Sequence, residues 1–290
     1  MSVAPHDPDH FIIEDVPTPK NVHTVRAISP LVRLWRITAV RRALVVIVVL
    51  LIWEIAARWT DKPLLLPSVL DTLDALRNAL TSRDDNLANY IVESMKALLA
   101  GFGIGTVVAG LLTIFAVNTK IGEDFLSTIT SAFAPLPAIA IFPLALMWLG
   151  ISNASVIFIT TWATVFPVAI AMFQGFRGVS ETLRAVGRNF GLRGLSHTAR
   201  ILIPGALPSI MTGLRNGLSN AFRALIALEM VIGAAVGTGG LGWFVMAEKQ
   251  NLEIPSVFAG IVAIMAIGLI FEGIFALIEH RTVRRWGMLH

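Results

Sequence analysis

Residues 89–117 read NYIVESMKALLAGFGIGTVVAGLLTIFAV. Only Glu93 and Lys96 are charged, both toward one end, and everything beyond them is apolar or small. As an α-helix such a stretch spans the roughly 30 Å of bilayer hydrocarbon. Five further stretches resemble it, at 43–59, 125–149, 154–176, 207–234 and 255–279. The expected fold is therefore an all-α membrane protein with six transmembrane helices.

Composition supports this reading over the whole chain. Of 290 residues, 55% are hydrophobic and 14% charged, against roughly 25% charged in an average soluble domain. The mean hydropathy of +0.74 leaves too little polar surface to cover a water-soluble fold. There is no cysteine, which excludes disulfides, thiolate metal sites and cysteine nucleophiles. The six histidines, His6, His10, His23, His197, His280 and His290, show no metal-ligand spacing.

Outside the spans, residues 1–30 are polar and carry five prolines, which reads as a tail. No apolar segment near the start suggests a cleaved signal peptide. Val32–Arg42 places four arginines among apolar residues and reads as an interfacial helix, so the tail and this helix make up residues 1–42 and the six-helix transmembrane domain 43–290. Pro67–Arg83 has Leu70, Leu73, Leu76 and Leu80 at helical spacing, predicting an amphipathic surface helix. Lysine and arginine set the orientation. With the N-terminus inside, inner segments carry fifteen and outer segments five, so both termini are expected in the cytoplasm. The basic excess thus reports topology, with no nucleic acid implied.

Within the spans, Ala97, Gly101, Gly105 and Ala109 recur every fourth residue, a ladder that lets another helix approach closely. Pro135, Pro137 and Pro143 in the third span and Pro167 in the fourth predict kinks. The fifth span is more informative. Ser209, Thr212, Asn216, Asn220 and Arg223 fall on one arc of roughly 80°, which Arg215 and Ser219 widen to roughly 140°. Leu214, Leu218, Ala221, Leu225 and Leu228 form the opposite face. A polar stripe on a membrane helix must meet protein or water. It is either a buried hydrogen-bonded seam or the wall of a hydrophilic path, and its continuity and two arginines favour the path. Arginine at mid-bilayer costs at least ~2.5 kcal/mol, so Arg223 needs an anionic partner, a carbonyl cluster or water. An anionic substrate, or an acid from another helix or subunit, is open as that partner. Glu229 is near in sequence, but six residues turn it ~120° away.

The segment 177–206 is basic and helix-competent, with Arg177, Arg184, Arg188, Arg193 and Arg200. Its punctuation is distinctive: Gly191, nine residues, then Ile201-Leu202-Ile203-Pro204. This spacing resembles the second half of the cytoplasmic coupling loop of ABC importer permeases. Pro204-Gly-Ala-Leu-Pro-Ser-Ile, Gly213-Leu-Arg215, Pro143-Leu-Ala-Leu-Met-Trp-Leu-Gly150, Ala227-Leu-Glu229-Met and Gly239-Gly-Leu-Gly-Trp243 resemble the nitrate, sulfonate and taurine branch of that family. The resemblance covers about residues 63–286. It implies a type I importer fold in a bacterial inner membrane and a second copy of the chain. It also implies two separate ATPase subunits that bind ATP and Mg, and a periplasmic or lipid-anchored solute-binding protein. Glu181, Arg184, Ala185, Gly187, Gly191, Ile201 and Pro204 would then form the ATPase-coupling segment. The family's Glu-Ala-Ala triplet falls here on Ala185-Val186-Gly187; its acid is missing, and Glu181 lies one turn earlier on the same face. The expected path residues are Ser209, Thr212, Arg215, Asn216, Asn220, Arg223 and Glu229.

Three other readings fit less well. The glycine-rich Gly237–Gly242 stretch is not followed by Gly-Lys-Ser/Thr, so no phosphate loop is expected and no cofactor on this chain. No catalytic constellation appears, so the chain is expected to be a transport subunit and not an enzyme. An ion-gradient-driven transporter would need acidic or histidine relays within the spans and a duplicated half. The acids Glu54, Glu93, Glu229 and Glu272 lie mostly toward span ends.

Overall fold

A computed structural model describes residues 38–82, 86–233 and 239–282, and all regular structure among them is helical. The tail 1–30, residues 32–37 of the expected interfacial helix, Gly237, Thr238 and the basic residues Arg284 and Arg285 lie outside the described residues. The chain forms two compact units, 1–51 and 52–290. Of the first, residues 38–51 are described, and they belong to helix α1, Thr38–Thr60. Thr38–Arg42 therefore continue directly into the apolar helix, with no separate interfacial element over those five residues. Arg58, in the last turn of α1, pairs with Glu54 at 2.7 Å.

Helix α2, Val69–Thr81, begins at a capping box: Asp71 N–H donates to Ser68 Oγ at 3.1 Å, and Ser68 N–H donates back to Asp71 at 3.3 Å. Of its leucine stripe only Leu76 packs inward, while Leu70, Leu73 and Leu80 are exposed, so the apolar face is left largely uncovered within the chain. Helices α3, Leu87–Asn118, and α6, Asn153–Gly178, each have the length and apolarity to cross a membrane, as does α12, Ile254–Thr282. Helix α10, Leu207–Ile232, packs on the other flank of α6.

Helix α6 is the centre of the bundle because small residues let α3 and α10 close on it. A Cβ added to Gly101 would stand 1.8 Å from Thr160 Oγ1, and one on Gly105 would stand 2.6 Å from Thr164 Cβ. Thr161 Oγ1 also donates across this seam to the Gly101 carbonyl at 3.2 Å. The four-residue ladder is thus a packing surface, as its spacing predicts. Gly105→Val should therefore lower thermal stability by about 1–3 kcal/mol, the usual penalty for overpacking. Gly103→Ala, where nothing lies within 4 Å, should not. Thermal unfolding of the two detergent-solubilised variants tests this, and equal stability would contradict the packing role.

The expected third span is not a single helix. Helix α4, Lys120–Phe133, and residues 138–149 meet at 89°, the second arm being a 3₁₀ turn, Ala138–Ile141, followed by α5, Phe142–Leu149. The break falls on Pro135-Leu136-Pro137, where proline lacks the amide donor and drives the preceding residue out of helical geometry. Pro143 instead sits in the first turn of α5, where its missing N–H costs nothing. Helix α6 runs unbroken through Pro167.

Candidate functional site

Two constructions stand out, a polar face on α10 and an angled segment between α6 and α10. On α10 the buried side is Gly213, Gly217, Leu218, Ala221, Phe222, Leu225 and Leu228. Two glycines set this orientation: a Cβ on Gly213 would lie 2.7 Å from Ala171 Cβ, and one on Gly217 would lie 2.6 Å from Val168 Cγ2. Periodicity puts Leu214, Leu218, Ala221, Leu225 and Leu228 opposite the polar stripe, and the i, i+4 glycine pair is the signal for which part of that face is packed, Leu214 being only half-buried. The opposite side exposes Thr212, Asn216, Ser219 and Arg223, with Ser209 and Asn220 half-buried beside them.

Arg223 donates from Nε to the Ser219 carbonyl at 3.2 Å and from Nη2 to Asn220 Oδ1. Among the described residues no acid pairs with it. Together with Asn220 it edges a cavity of about 350 Å³ beneath the α4–α5 break, walled by Trp162, Phe166 and Pro167 of α6. Trp162 stacks edge-on against both Phe133 and Phe166, at 5.6 Å and 5.0 Å, giving that wall a rigid aromatic surface.

Two expected path residues stand elsewhere. Arg215 turns to α12, where it pairs with Glu279 at 3.1 Å and Glu272 at 3.4 Å and lies over the Phe275 ring. Its charge is neutralised within the chain, because α12 offers two acids seven residues apart on one face. Glu229 is buried on the packed side of α10, bonded to Ser94 and to the Gly242 amide. The ~120° turn from Arg223 carries it off the stripe.

The second construction begins where α6 ends. Helix α7, Glu181–Asn189, is capped by Ser180, whose Oγ accepts the Leu183 N–H. Arg184 reaches back and donates to the carbonyls of Phe176 and Val179, satisfying acceptors that the end of α6 leaves open. Glu181 is exposed, and the hydrogen-bonded Arg188 guanidinium holds its carboxyl below the usual carboxylate range. Helix α7 closes at Gly191, with φ +74°. There the Gly191 N–H bonds the Arg188 carbonyl at 2.9 Å and the Leu192 N–H bonds the Gly187 carbonyl at 3.1 Å, the paired closure that favours glycine.

After this elbow the chain returns through α8, Gly194–His197, a π turn, Thr198–Leu202, and α9, Ile203–Gly205. The two arms cross at Gly187, where a Cβ would stand 2.8 Å from Ile201 and 3.0 Å from His197. Ala185 is half-buried, and Pro204 occupies the first turn of α9. Of the residues read as a coupling segment, the fold brings Gly187 against Ile201, places Gly191 at the turn, and sets Arg184 on α6. Leu183, Val186, Phe190 and Leu195 remain exposed around the elbow, Phe190 by 81%. Contiguous exposed apolar patches are a common mark of contact surfaces.

Residues 101–284, which hold both constructions, match the family model described as binding-protein-dependent transport system inner membrane component. The chain belongs to this family. The permease is 28% identical to the taurine transport system permease protein of Escherichia coli K12, over 76% of this chain and 80% of that one. It is 26% identical to the nitrate import permease protein of Synechocystis sp. PCC 6803, over 88% and 93%. An Escherichia coli K12 relative named for aliphatic sulfonates transport is 28% identical over 81% and 87%. The permease is thus a multi-pass protein of the bacterial inner membrane and the transport component of a binding-protein-dependent ABC importer. The family resemblance carried by the Gly191–Pro204 spacing and its companion motifs holds.

Proposed function

We propose that two copies of the permease enclose a path for a small anionic solute, which a periplasmic or lipid-anchored binding protein delivers at the outer face. The observation that carries this is the exposed α10 face, where Arg223 has no acid partner among the described residues. Those groups turned toward lipid would be costly, whereas a twin packed about a two-fold axis covers them and leaves a polar channel. The relatives named for nitrate, taurine and aliphatic sulfonates fit an anionic cargo.

In this reading α1, α3, the bent α4–α5 pair, α6, α10 and α12 are the six spans, and both termini and the elbow are cytoplasmic. Two ATPase subunits seat the elbow's apolar cluster and bind ATP and Mg, with no cofactor on the permease itself. ATP binding closes the ATPase pair and shifts the elbow. Arg184 passes that shift to the end of α6, and the tight contacts of Gly213 and Gly217 pass it to α10. Access then alternates because ATP binds one arrangement better than the other. Single cysteines in this cysteine-free chain test the arrangement. A cysteine at Asn216 or Asn220 should crosslink between copies or react with membrane-impermeant reagents. Reaction at both positions with lipid-soluble reagents alone, and no crosslink, would overturn the path.

A further inference from the structure

The far end of α10 carries a polar knot that neither the path nor the elbow uses. Glu229 is 6% exposed and has no cationic partner among the described residues. Instead Ser94 Oγ of α3 donates to its two oxygens at 2.7 and 2.8 Å, and the Gly242 N–H donates at 3.0 Å. Gly242 lies in the first turn of α11, Leu241–Gln250, and Ser94 Oγ itself accepts the Leu241 N–H at 2.8 Å. A helix leaves its first amides without internal partners. Here the first two of α11 are satisfied by side chains of two other helices, with the carboxylate at the positive end of the helix dipole.

The fit is tight where α11 begins, and Glu229 also borders a cavity of about 280 Å³ that Glu93 and Lys96 line. A Cβ on Gly240 would stand 2.0 Å from Glu229 Oε1 and 2.4 Å from Ser94 Oγ, and one on Gly242 would stand 2.4 Å from the Ile226 carbonyl. On its other side α11 contributes Phe244 and Glu248 to a groove of about 650 Å³, shared with Asp71 and Asp74 of α2 and with Glu253. Helix α11 therefore stands between an outer groove and α10, and Arg223 lies about 9 Å along α10 from Glu229.

We infer that Glu229 and Ser94 are positioning residues that make α11 move with α10, so that a load on the outer face reaches the charged part of the path. Apolar contact is non-directional, whereas charge-assisted hydrogen bonds fix geometry as well as distance. This inference rests on the two-copy importer reading. Spin labels on single cysteines at Lys249, at the end of α11, or at Ser219, on the α10 stripe, give distances between copies in the permease–ATPase complex. Both distances should shift between the nucleotide-free and ATP/vanadate-trapped states.

Ser94→Ala and Glu229→Leu should abolish the shift at position 249 while the shift at 219 persists. Glu229→Gln, which can still accept from Gly242 and bond Ser94, should retain both. A shift at 249 that survives Ser94→Ala overturns the inference and leaves the importer reading standing, as does one that survives a folded Glu229→Leu. The same holds if the parent chain shifts at 219 but not at 249. Absence of any distance between copies, or of a shift at either position, overturns both. Ser94→Ala changes little volume, so the test does not depend on Glu229→Leu folding.

Discussion

Gly191→Val should leave the membrane helices folded and remove most ATP-driven transport. The reason is conformational, since nothing lies within 4 Å of a Cβ at this position. At φ +74° an L-residue is disfavoured by roughly 1–2 kcal/mol, and a β-branched side chain is the least tolerated there. Relieving the strain means abandoning the left-handed geometry. That breaks the closure between Gly191 and Arg188 and swings Ile201 away from Gly187. The apolar cluster of Leu183, Val186, Phe190 and Leu195 then no longer presents one surface.

Co-purification with the ATPase subunits should fall sharply, or hydrolysis should persist without transport, while detergent stability of the permease stays near that of the parent. Gly191→Asn should be far milder, because asparagine visits the left-handed region readily. Normal ligand-stimulated transport by the valine variant would remove the elbow from the mechanism.

Arg223→Gln should abolish most transport of the anionic cargo while the complex still assembles. In the two-copy reading, two Arg223 guanidinium groups line one path and attract an anion. A hydrogen bond to a charged group contributes about 1.5–3 kcal/mol, so losing it should slow transport roughly ten- to a hundredfold. The alternative, in which Arg223 is a structural ion pair, has lost its nearest candidate: Glu229 is committed to Ser94 and Gly242. Thermal stability should accordingly change little in Arg223→Gln, and adding Glu229→Gln should restore nothing. Arg215 supplies the contrast. Its pairing with Glu272 and Glu279 bridges α10 and α12, so Arg215→Gln should act mainly on stability. Transport kinetics and thermal unfolding of the two glutamine variants separate these roles. Undiminished anion transport by Arg223→Gln would exclude the charge from substrate handling.

Much of this arrangement was legible before any coordinates. Long apolar runs are read locally because hydrocarbon demands a continuous helix of sufficient length. The Ala97–Ala109 ladder and the polar face of α10 were readable because helical periodicity places side chains on faces regardless of what they meet. Gly191 stood out by its spacing to Ile201-Leu202-Ile203-Pro204, and the family model confirms the identity that spacing implied. The right angle at Pro135-Leu136-Pro137 was readable only in kind. Proline fixes where a helix stops, but the 89° between the arms depends on how 138–149 packs against α6 and α10.

Partner choice was not legible at all. Arg215 and Arg223 occupy the same stripe in sequence, eight residues and ~80° apart. Arg215 meets two glutamates of α12, whereas Arg223 meets no acid among the described residues and bonds Ser219 and Asn220. Glu229 looked like a path residue, and only the approach of α3 and α11 shows it holding Ser94 and the first turn of α11. Periodicity along one helix fixes which residues share a face. Which charges are neutralised is set by helices far away in sequence, since 57 residues separate Arg215 from Glu272 and 135 separate Ser94 from Glu229. The sequence alone determined the membrane class, the faces and the elbow. The tertiary structure decided which arginine meets an acid among the described residues, because electrostatic pairing depends on distances that only the packing of the helices sets.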